Sequence, residues 1–256
     1  MKRKASEKAQ RRKEMSDNYI NQRKRLVYQH TSELISGKVL LVGAERNFDV
    51  SIFATKAESL TIVDKAVKDL SDTSLTNVEY HFNKFPSLSG LTSNSFDFVL
   101  SFQSIEHIPD DFYFMKEVVR VLRAGGKFIV STPNKAMSIT RNPWHRREYT
   151  VDEFKNLLSS YFNQVQALGI YGKNNVLEYY DKNKRAVKAY KRFDIFDFEH
   201  RLPSWLLKLP YHTLNIFNRH RLLINNRNLT LKISKEDYYI DKASDGCFDL
   251  YFIAEK

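Results

Sequence analysis

Hydrophobic and polar positions alternate along the chain in blocks that predict strands and helices in turn. Five strongly apolar runs are predicted as strands: KVLLVGA, SLTIVDK, FDFVLSFQ, KFIVSTP and FDLYFIAEK. A strand that is buried on both faces carries apolar side chains at successive positions, as these runs do. NVEYHFN and NQVQALGIYG are predicted as two less apolar strands. Strands that alternate with helices over about 130 residues indicate an α/β, doubly wound, mostly parallel sheet, here of seven strands.

Three segments between these strands have the spacing or the start signal of a helix. FDVSIFATKA follows the first strand, and DDFYFMKEVVRVL carries apolar residues at helical intervals on one face. Gly125 and Gly126 are predicted to end the second of these helices. Thr150 and Glu153, three residues apart, form a predicted capping box that starts the third.

The alternation stops between residues 172 and 245, a stretch rich in Tyr, Phe, Asn, Lys and Arg in which Pro203 and Pro210 bracket SWLLKL. We interpret 172–245 as an inserted, partly helical cap or substrate region. Residues 26–171 together with 246–256 are predicted to form the main α/β domain. Residues 1–25 are predicted to be a separate basic tail or helix.

Charge and cysteine content limit the classes of protein that fit. The net charge is +11, and residues 1–25 hold ten Lys or Arg against three Asp or Glu, so the basic character lies mainly in the tail. Such a tail is typical of a solvated helix, and contact with nucleic acid or anionic lipid remains an alternative. A single cysteine excludes an internal disulfide framework, and no signal peptide or membrane-spanning run is visible, which favours a cytoplasmic protein.

Ligands of doubly wound sheets bind beyond the carboxyl ends of the strands, so the residues directly after each strand are the candidates for chemistry. Gly43 and Ala44 follow the first strand, where backbone amides can face a polar ligand, and Glu45 places a long carboxylate in the same turn. Asp64 ends the second strand, 21 positions after Gly43, with Lys65 next to it. This spacing favours a carboxylate that accepts two ribose hydroxyls over one that caps the next helix.

Two further segments contain reactive side chains. SFQSIEHIPDD follows the fourth strand and puts Glu106 and His107 at the predicted cleft, where a histidine could take a proton from an acceptor hydroxyl or could merely pack. RNPWHRREYT holds the second set, which consists of His145, Arg147, Glu148 and Tyr149. Arg147 could instead pair with Glu106 or Glu148 and merely fix the loop. No His/Asp cluster has the spacing of metal ligands, so no metal is predicted.

The order of these segments resembles the class I S-adenosylmethionine-dependent methyltransferases, which have a Rossmann-like sheet. The segments that carry the resemblance are VLLVG, TIVDK, NVEYHFN, FDFVLSFQSIEHIPD, FMKEVVRVLRAGGKFIVSTPN and NPWHRREYTVDEF. It covers about residues 36–170 and the last strand, and 96–134 is its most specific part. The likeness is greatest to a bacterial branch linked to methylation of glycans or small molecules.

The resemblance implies S-adenosyl-L-methionine as cofactor and assigns roles to residues. Gly43 and Asp64 match the family's loop glycine and its ribose-binding acid, and the end of the fourth strand, Phe102 and Gln103, would contact the cofactor. The pattern departs from the family at Leu41, where an acid is usual, at Glu45 and Asn47, where glycines are usual, and at Lys84. There Asn83 and Lys84 occupy the place of an Asp that contacts adenine.

The sequence therefore predicts a methyltransferase that acts on a hydroxyl of a glycan or small-molecule acceptor. Glu106, His107 and His145 are the candidate catalytic residues, and Arg147, Glu148 and Tyr149 are expected to orient the acceptor. An RNA methyltransferase is the alternative that the basic tail suggests, although no RNA-binding module is visible. A non-catalytic protein that kept the fold is the other alternative. Peripheral membrane contact and the oligomeric state are left open.

Overall fold

The computed structural model describes residues 11–44, 49, 51–64, 75–82, 87–192 and 201–256. In chain order its helices are α1 (Asn18–Leu34), α2 (Ser51–Ala54), α3 (Asp111–Val121), α4 (Val151–Ser159), α5 (Asn174–Lys191), α6 (Ser204–Asn225) and α7 (Arg227–Lys232). Its strands are β1 (Lys38–Val42), β2 (Ser59–Asp64), β3 (Val78–Phe82), β4 (Phe96–Phe102), β5 (Leu122–Pro133), β6 (Gln164–Gly172), β7 (Tyr238–Lys242) and β8 (Asp249–Glu255).

The strands form one sheet in the order β3-β2-β1-β4-β5-β8-β6-β7. The pairs β1–β2, β2–β3, β1–β4 and β4–β5 are parallel, whereas β8 runs antiparallel to both β5 and β6. The prediction of a mostly parallel, Rossmann-like α/β sheet is confirmed. Because β1 to β5 are parallel, their carboxyl ends lie at one edge of the sheet, and the residues that follow them are neighbours in space.

The apolar runs of the sequence are the buried centre of this sheet. Val39 to Val42 of β1 are fully buried, and most residues of β4 and residues 128–132 of β5 are buried as well. Side chains from the helices complete the core, with Phe53 of α2, Phe114 of α3 and Phe154 of α4 among the largest that are fully buried. Burial on both faces explains why these strands read as continuous apolar runs rather than as alternating ones.

The structure tests the predicted start of α4 and the predicted end of α3. The capping box of α4 is present, because Thr150 Oγ1 accepts from the backbone N–H of Glu153 and the Glu153 carboxylate accepts from the backbone N–H of Thr150. The prediction that Gly125 and Gly126 end α3 is wrong. Helix α3 ends at Val121, because the chain enters β5 at Leu122, which pairs with β4. Gly125 lies within β5 at a φ of +71°.

The segment that breaks the alternation is largely helical, as expected, but it also contains a strand. Its described parts form α5, α6 and α7, and β7 follows as the eighth strand at the edge of the sheet. The sequence prediction of seven strands missed it, since YYIDK is short and only half apolar. Pro203 stands directly before α6, whereas Pro210 lies inside that helix rather than at its end.

The chain divides into two compact units. The first takes its described residues from Met1–Val27, Ser138–His145 and Tyr171–Tyr239, and the second consists of the described residues of Tyr28–Met137, Arg146–Ile170 and Ile240–Lys256. The second unit therefore contains the parallel strands and the residues that follow them. In the part of the chain that the structure describes, no helix combines the length and the hydropathy that crossing a bilayer requires. The predicted domain boundaries stay a prediction.

Candidate functional site

The turn after β1 is attached to the end of β2. Gly43 has a φ of +79°, a conformation that a side chain at this position would strain. Its backbone N–H donates to the carbonyl of Val63 at 2.9 Å, the residue directly before Asp64. The turn therefore starts beside the end of β2, with Ala44 buried next to it. A glycine without Cβ, next to a carboxylate at the carboxyl edge, is the arrangement that the ribose interpretation requires.

Several predicted cofactor-binding residues lie outside the described residues: Glu45, Lys65, Asn83 and Lys84. Asp64 is described, and it is half-buried at the last position of β2, where it pairs in register with Phe82 of β3. Its carboxylate is thus held at the sheet edge by a strand whose four central residues are buried. The roles of all these residues toward a cofactor stay predictions.

The end of β4 is also constrained. Phe102 is buried, and its ring lies 5.0 Å from that of Tyr28 and 6.0 Å from that of Phe53, measured between centroids. Gln103 follows with a φ of +48°, which is unusual for a residue other than glycine, and its backbone N–H donates to the carbonyl of Ser131 at 2.8 Å. Strained backbone of this kind is concentrated at functional sites, where it sets the direction of a loop.

Glu106 and His107 lie on a single turn of 3₁₀ helix, Ile105–His107, directly after this loop. The Glu106 side chain is buried, with only 1% of the residue exposed, and its carboxylate accepts a hydrogen bond of 3.0 Å from the hydroxyl of Thr132 at the end of β5. The carbonyl of Glu106 accepts from the backbone N–H of Arg146 at 2.6 Å. His107 is exposed. The glutamate therefore connects two loops, while the histidine faces solvent and could meet an acceptor.

A buried carboxylate that the sequence interpretation missed organises the loop before α4. Asp111, at the first position of α3, accepts a hydrogen bond of 2.7 Å from the Tyr149 hydroxyl and one of 3.0 Å from Arg147. The Arg147 guanidinium also lies over the Tyr149 ring, 4.8 Å from its centroid. Burial and the adjacent Asp111 carboxylate raise the pKa of Tyr149 far above its usual value, so the hydroxyl remains a donor. We call these three residues the Asp111 cluster.

The Asp111 cluster changes the roles expected for Arg147 and Tyr149. Tyr149 is fully buried and its hydroxyl is occupied by Asp111, so it holds the loop instead of touching an acceptor. Arg147 is partly exposed, and it pairs with Asp111 rather than with either of the glutamates considered from the sequence. The expectation that Tyr149 orients an acceptor stays a prediction, and because its side chain is enclosed by protein Tyr149 would act through the loop that it holds.

A signal for Asp111 was present in the sequence. Two consecutive aspartates stand at the start of α3, and a helix needs only one N-cap. Asp110 fills that role, since its carboxylate accepts from the backbone N–H of Tyr113 at 2.8 Å. Asp111 is therefore not needed as the N-cap, and its carboxylate indicates a tertiary partner for its charge.

Two predicted site residues, Glu148 and His145, do not belong to the Asp111 cluster. Glu148 is half-buried between the two members of the Asp111 cluster that neighbour it in sequence. His145 belongs to the first unit, where its ring nitrogen Nε2 lies 2.7 Å from the Asn142 side-chain nitrogen. The site described here is that of the second unit, and the catalytic role of His145 and the absence of a metal stay predictions.

Comparison with known proteins agrees with this geometry. A family model described as "Methyltransferase domain" matches residues 40–130, from β1 to the middle of β5. A protein of Mycolicibacterium smegmatis named "Probable S-adenosylmethionine-dependent methyltransferase" is 30% identical over 168 residues, which are 60% of this chain and 63% of that relative. The chain thus spans less than two thirds of the length of this relative.

Residues 40–130 thus match the methyltransferase domain family, and over part of its length the chain is similar to proteins named S-adenosylmethionine-dependent methyltransferases. Two solved structures share the fold of this chain over most of its length. The YcgJ protein of Bacillus subtilis superposes with a TM-score of 0.56 at 15% identity, over 90% of this chain and 97% of its own. A Thermotoga maritima protein titled "SAM-dependent methyltransferase, possible histamine N-methyltransferase" superposes with a TM-score of 0.55 at 13% identity, over 93% and 91%. At such identities the likeness concerns the fold of the methyltransferase domain alone.

Proposed function

We propose that the chain is a cytoplasmic S-adenosylmethionine-dependent methyltransferase that methylates a hydroxyl of a glycan or small-molecule acceptor. The observation that carries the cofactor assignment is the hydrogen bond from Gly43 N–H to Val63, which holds the glycine turn beside Asp64 at the carboxyl edge. The relative from Mycolicibacterium smegmatis supports the same reaction class. A reducing compartment is supported by the single cysteine, which is a buried free thiol.

The residues present fit S-adenosylmethionine. Asp64 would accept the ribose hydroxyls, the uncovered backbone at Gly43 would face the methionine portion, and Gln103, on its strained loop, would line the same edge. When bound, the cofactor supplies the methyl group as a sulfonium. The protein's own task is to align the acceptor oxygen with that carbon and to exclude water.

His107 is the residue that we assign to the proton of the acceptor. It is exposed on the turn after β4, the strand beside β1, and a neutral imidazole within hydrogen-bond reach can accept the hydroxyl proton as the oxygen–carbon bond forms. Glu106 cannot approach an acceptor in the same way, since its carboxylate is buried against Thr132. We therefore assign Glu106 the positioning of the turn that carries His107.

Calorimetric titration with S-adenosylmethionine and S-adenosylhomocysteine tests the cofactor assignment. Asp64→Asn should weaken the binding of both by about 10- to 150-fold, the range for losing hydrogen bonds to a charged group. Glu58→Gln is the matched control, because Glu58 is exposed directly before the other end of β2. No binding to the unaltered protein would support the non-catalytic alternative, and equal loss in both variants would remove the ribose role of Asp64.

The acceptor chemistry has a separate test. With hydroxyl-bearing small molecules and glycans as acceptors and isotopically labelled S-adenosylmethionine, His107→Asn should reduce methyl transfer by about 10²- to 10⁴-fold while cofactor affinity is retained. His81→Asn, at a half-buried histidine of β3, serves as control. Transfer to RNA but to none of these acceptors would favour the RNA methyltransferase alternative instead.

A further inference from the structure

Helix α6 in the first unit has an unusual solvent-facing side. Seven of its large apolar residues are 41–73% exposed: Trp205, Leu206, Leu209, Leu214, Ile216, Phe217 and Ile224. At 3.6 residues per turn six of these, all but Leu214, project within an arc of about 120°. We call these six the apolar stripe. The buried Asn218 and Leu222 project from the other side of the helix, whereas the buried Leu223 projects at the edge of the stripe's arc.

The apolar stripe is larger than ordinary surface exposure explains. Single exposed apolar side chains are normal, but a contiguous apolar face marks a surface that meets another apolar phase. A helix at a protein surface usually turns its apolar side inward and its polar side outward. Helix α6 instead has apolar residues on its outward side as well, so one side of α6 has no cover among the described residues of the chain.

The charge around the stripe indicates what covers it. Residues 201–234 contain no Asp or Glu and six Lys or Arg. One of these, Arg219, is paired with Asp17 of the same unit, and the other five are exposed: Arg201, Lys208, Arg221, Arg227 and Lys232. A helix with Trp, Phe and Leu on one face and Lys or Arg elsewhere, and without acids, is the type that lies in the interface of an anionic bilayer.

A cavity lies between α5 and α6 in the same unit as the stripe. It has a volume of about 360 Å³, and Lys182, Arg185 and Arg221 line it together with three asparagines. No acidic residue is among the described residues that line it. Lys182 forms an ion pair with Glu178 at 3.1 Å.

We propose that the first unit docks on an anionic lipid surface through α6, with the apolar stripe in the headgroup–acyl boundary and the surrounding cations against acidic headgroups. The helix lies on the bilayer and does not cross it, in agreement with its hydropathy. Neither a second copy of this chain nor RNA explains both features, since a copy would repeat the same positive charge and RNA would leave the apolar side chains in water. This surface is independent of the methyl-transfer proposal.

Co-sedimentation of the full chain with vesicles tests the proposal. We expect binding to phosphatidylcholine vesicles that contain about one third phosphatidylglycerol, weak binding to phosphatidylcholine alone, and a loss of binding at high salt. The double variant Leu209→Ser/Ile216→Ser should bind these vesicles with an affinity that is lower by a factor of about ten or more. Phe112→Ser/Leu177→Ser is the matched control, since both residues are exposed apolar residues outside the stripe and should leave binding unchanged.

Two further measurements separate insertion from simple charge attraction. Trp144→Phe leaves Trp205 as the single tryptophan, and its emission should shift to the blue on anionic vesicles and be quenched by brominated acyl chains. Lys208→Glu should weaken vesicle binding, whereas Lys155→Glu, at an exposed lysine of α4, should not.

Three results would overturn the proposal. These are absence of binding to anionic vesicles, equal binding by the stripe variant and the unaltered chain, and emission of Trp205 that vesicles do not change. Self-association that the stripe variant abolishes, without any vesicle binding, would assign the stripe to a second copy, and RNA binding alone would assign the cations to nucleic acid. Because the stripe residues are exposed, circular dichroism should show unchanged folding in every variant. Failure of vesicle binding with intact cofactor binding would leave the proposed methyl transfer standing.

Discussion

The Asp111 cluster is expected to stabilise the second unit through the Tyr149 hydroxyl, and Tyr149→Phe removes that hydroxyl with little other change. The hydroxyl donates to the buried Asp111 carboxylate at 2.7 Å. Hydrogen bonds to charged groups contribute about 1.5–3 kcal/mol, and here the loss leaves the buried carboxylate with its hydrogen bond from Arg147. We therefore expect Tyr149→Phe to lower the free energy of unfolding by about 2–3 kcal/mol.

The chain offers a matched control in another buried tyrosine of the same unit. The Tyr251 hydroxyl lies 3.0 Å from Thr31 Oγ1 and 3.1 Å from His30 Nδ1, which are both uncharged partners when the histidine is neutral, and burial lowers the pKa of His30. Tyr251→Phe should cost only about 0.5–1.5 kcal/mol. Urea unfolding followed by circular dichroism measures both differences, and the unfolding slope shows whether the variants keep the same transition.

A double-mutant cycle and the alkaline limb of stability test the assignment of the partner. In a cycle of Tyr149→Phe with Asp111→Asn, the two changes should be strongly non-additive, because they affect the same contact. The pKa of Tyr149 is raised in the folded state, so its contribution is complete below about pH 10, the unfolded value, and is lost as the pH rises further. Tyr149→Phe should therefore show a shallower alkaline loss. Additive changes, or a cost no larger than that of Tyr251→Phe, would refute the role of Asp111.

Two further predictions concern the scaffold around the site. Glu117 accepts from Arg120 at 2.7 Å and from the backbone of Leu88 at 3.0 Å, and the Arg120 hydrogen bond lowers the pKa of Glu117. Glu117→Gln should thus lower the free energy of unfolding, measured in urea at neutral pH, by about 1–2 kcal/mol. The difference between the two proteins should disappear as acid protonates the Glu117 carboxyl, and a difference that is independent of pH would argue against an ionic role. A Cβ at Gly169 would lie 2.6 Å from Cys247 Cβ, so Gly169→Ala should lower thermal stability through a cost of about 1–3 kcal/mol, and an unchanged midpoint would mean that β6 and the Cys247 loop can separate.

The sequence by itself determined the sheet and the position of its functional edge. Strands β1, β2, β4 and β5 are buried on both faces, so their apolar runs were long and visible without a structure. The Thr150–Glu153 box is a local interaction between residues three apart, and it was predicted for the same reason. Strand β7 was missed because an edge strand of five residues, only one of them buried, carries almost no pattern.

The tertiary structure alone decided which side chains meet. Asp111 and Tyr149 are 38 positions apart, and only the packing of α3 against the loop before α4 brings the carboxylate to the hydroxyl. The burial of Glu106 against Thr132 and the exposure of the apolar stripe are likewise properties of packing, because the same residue types occur in both settings along the chain. A pattern of residues records local preference, whereas the desolvation that pairs a buried charge or leaves an apolar face uncovered depends on contacts between distant segments.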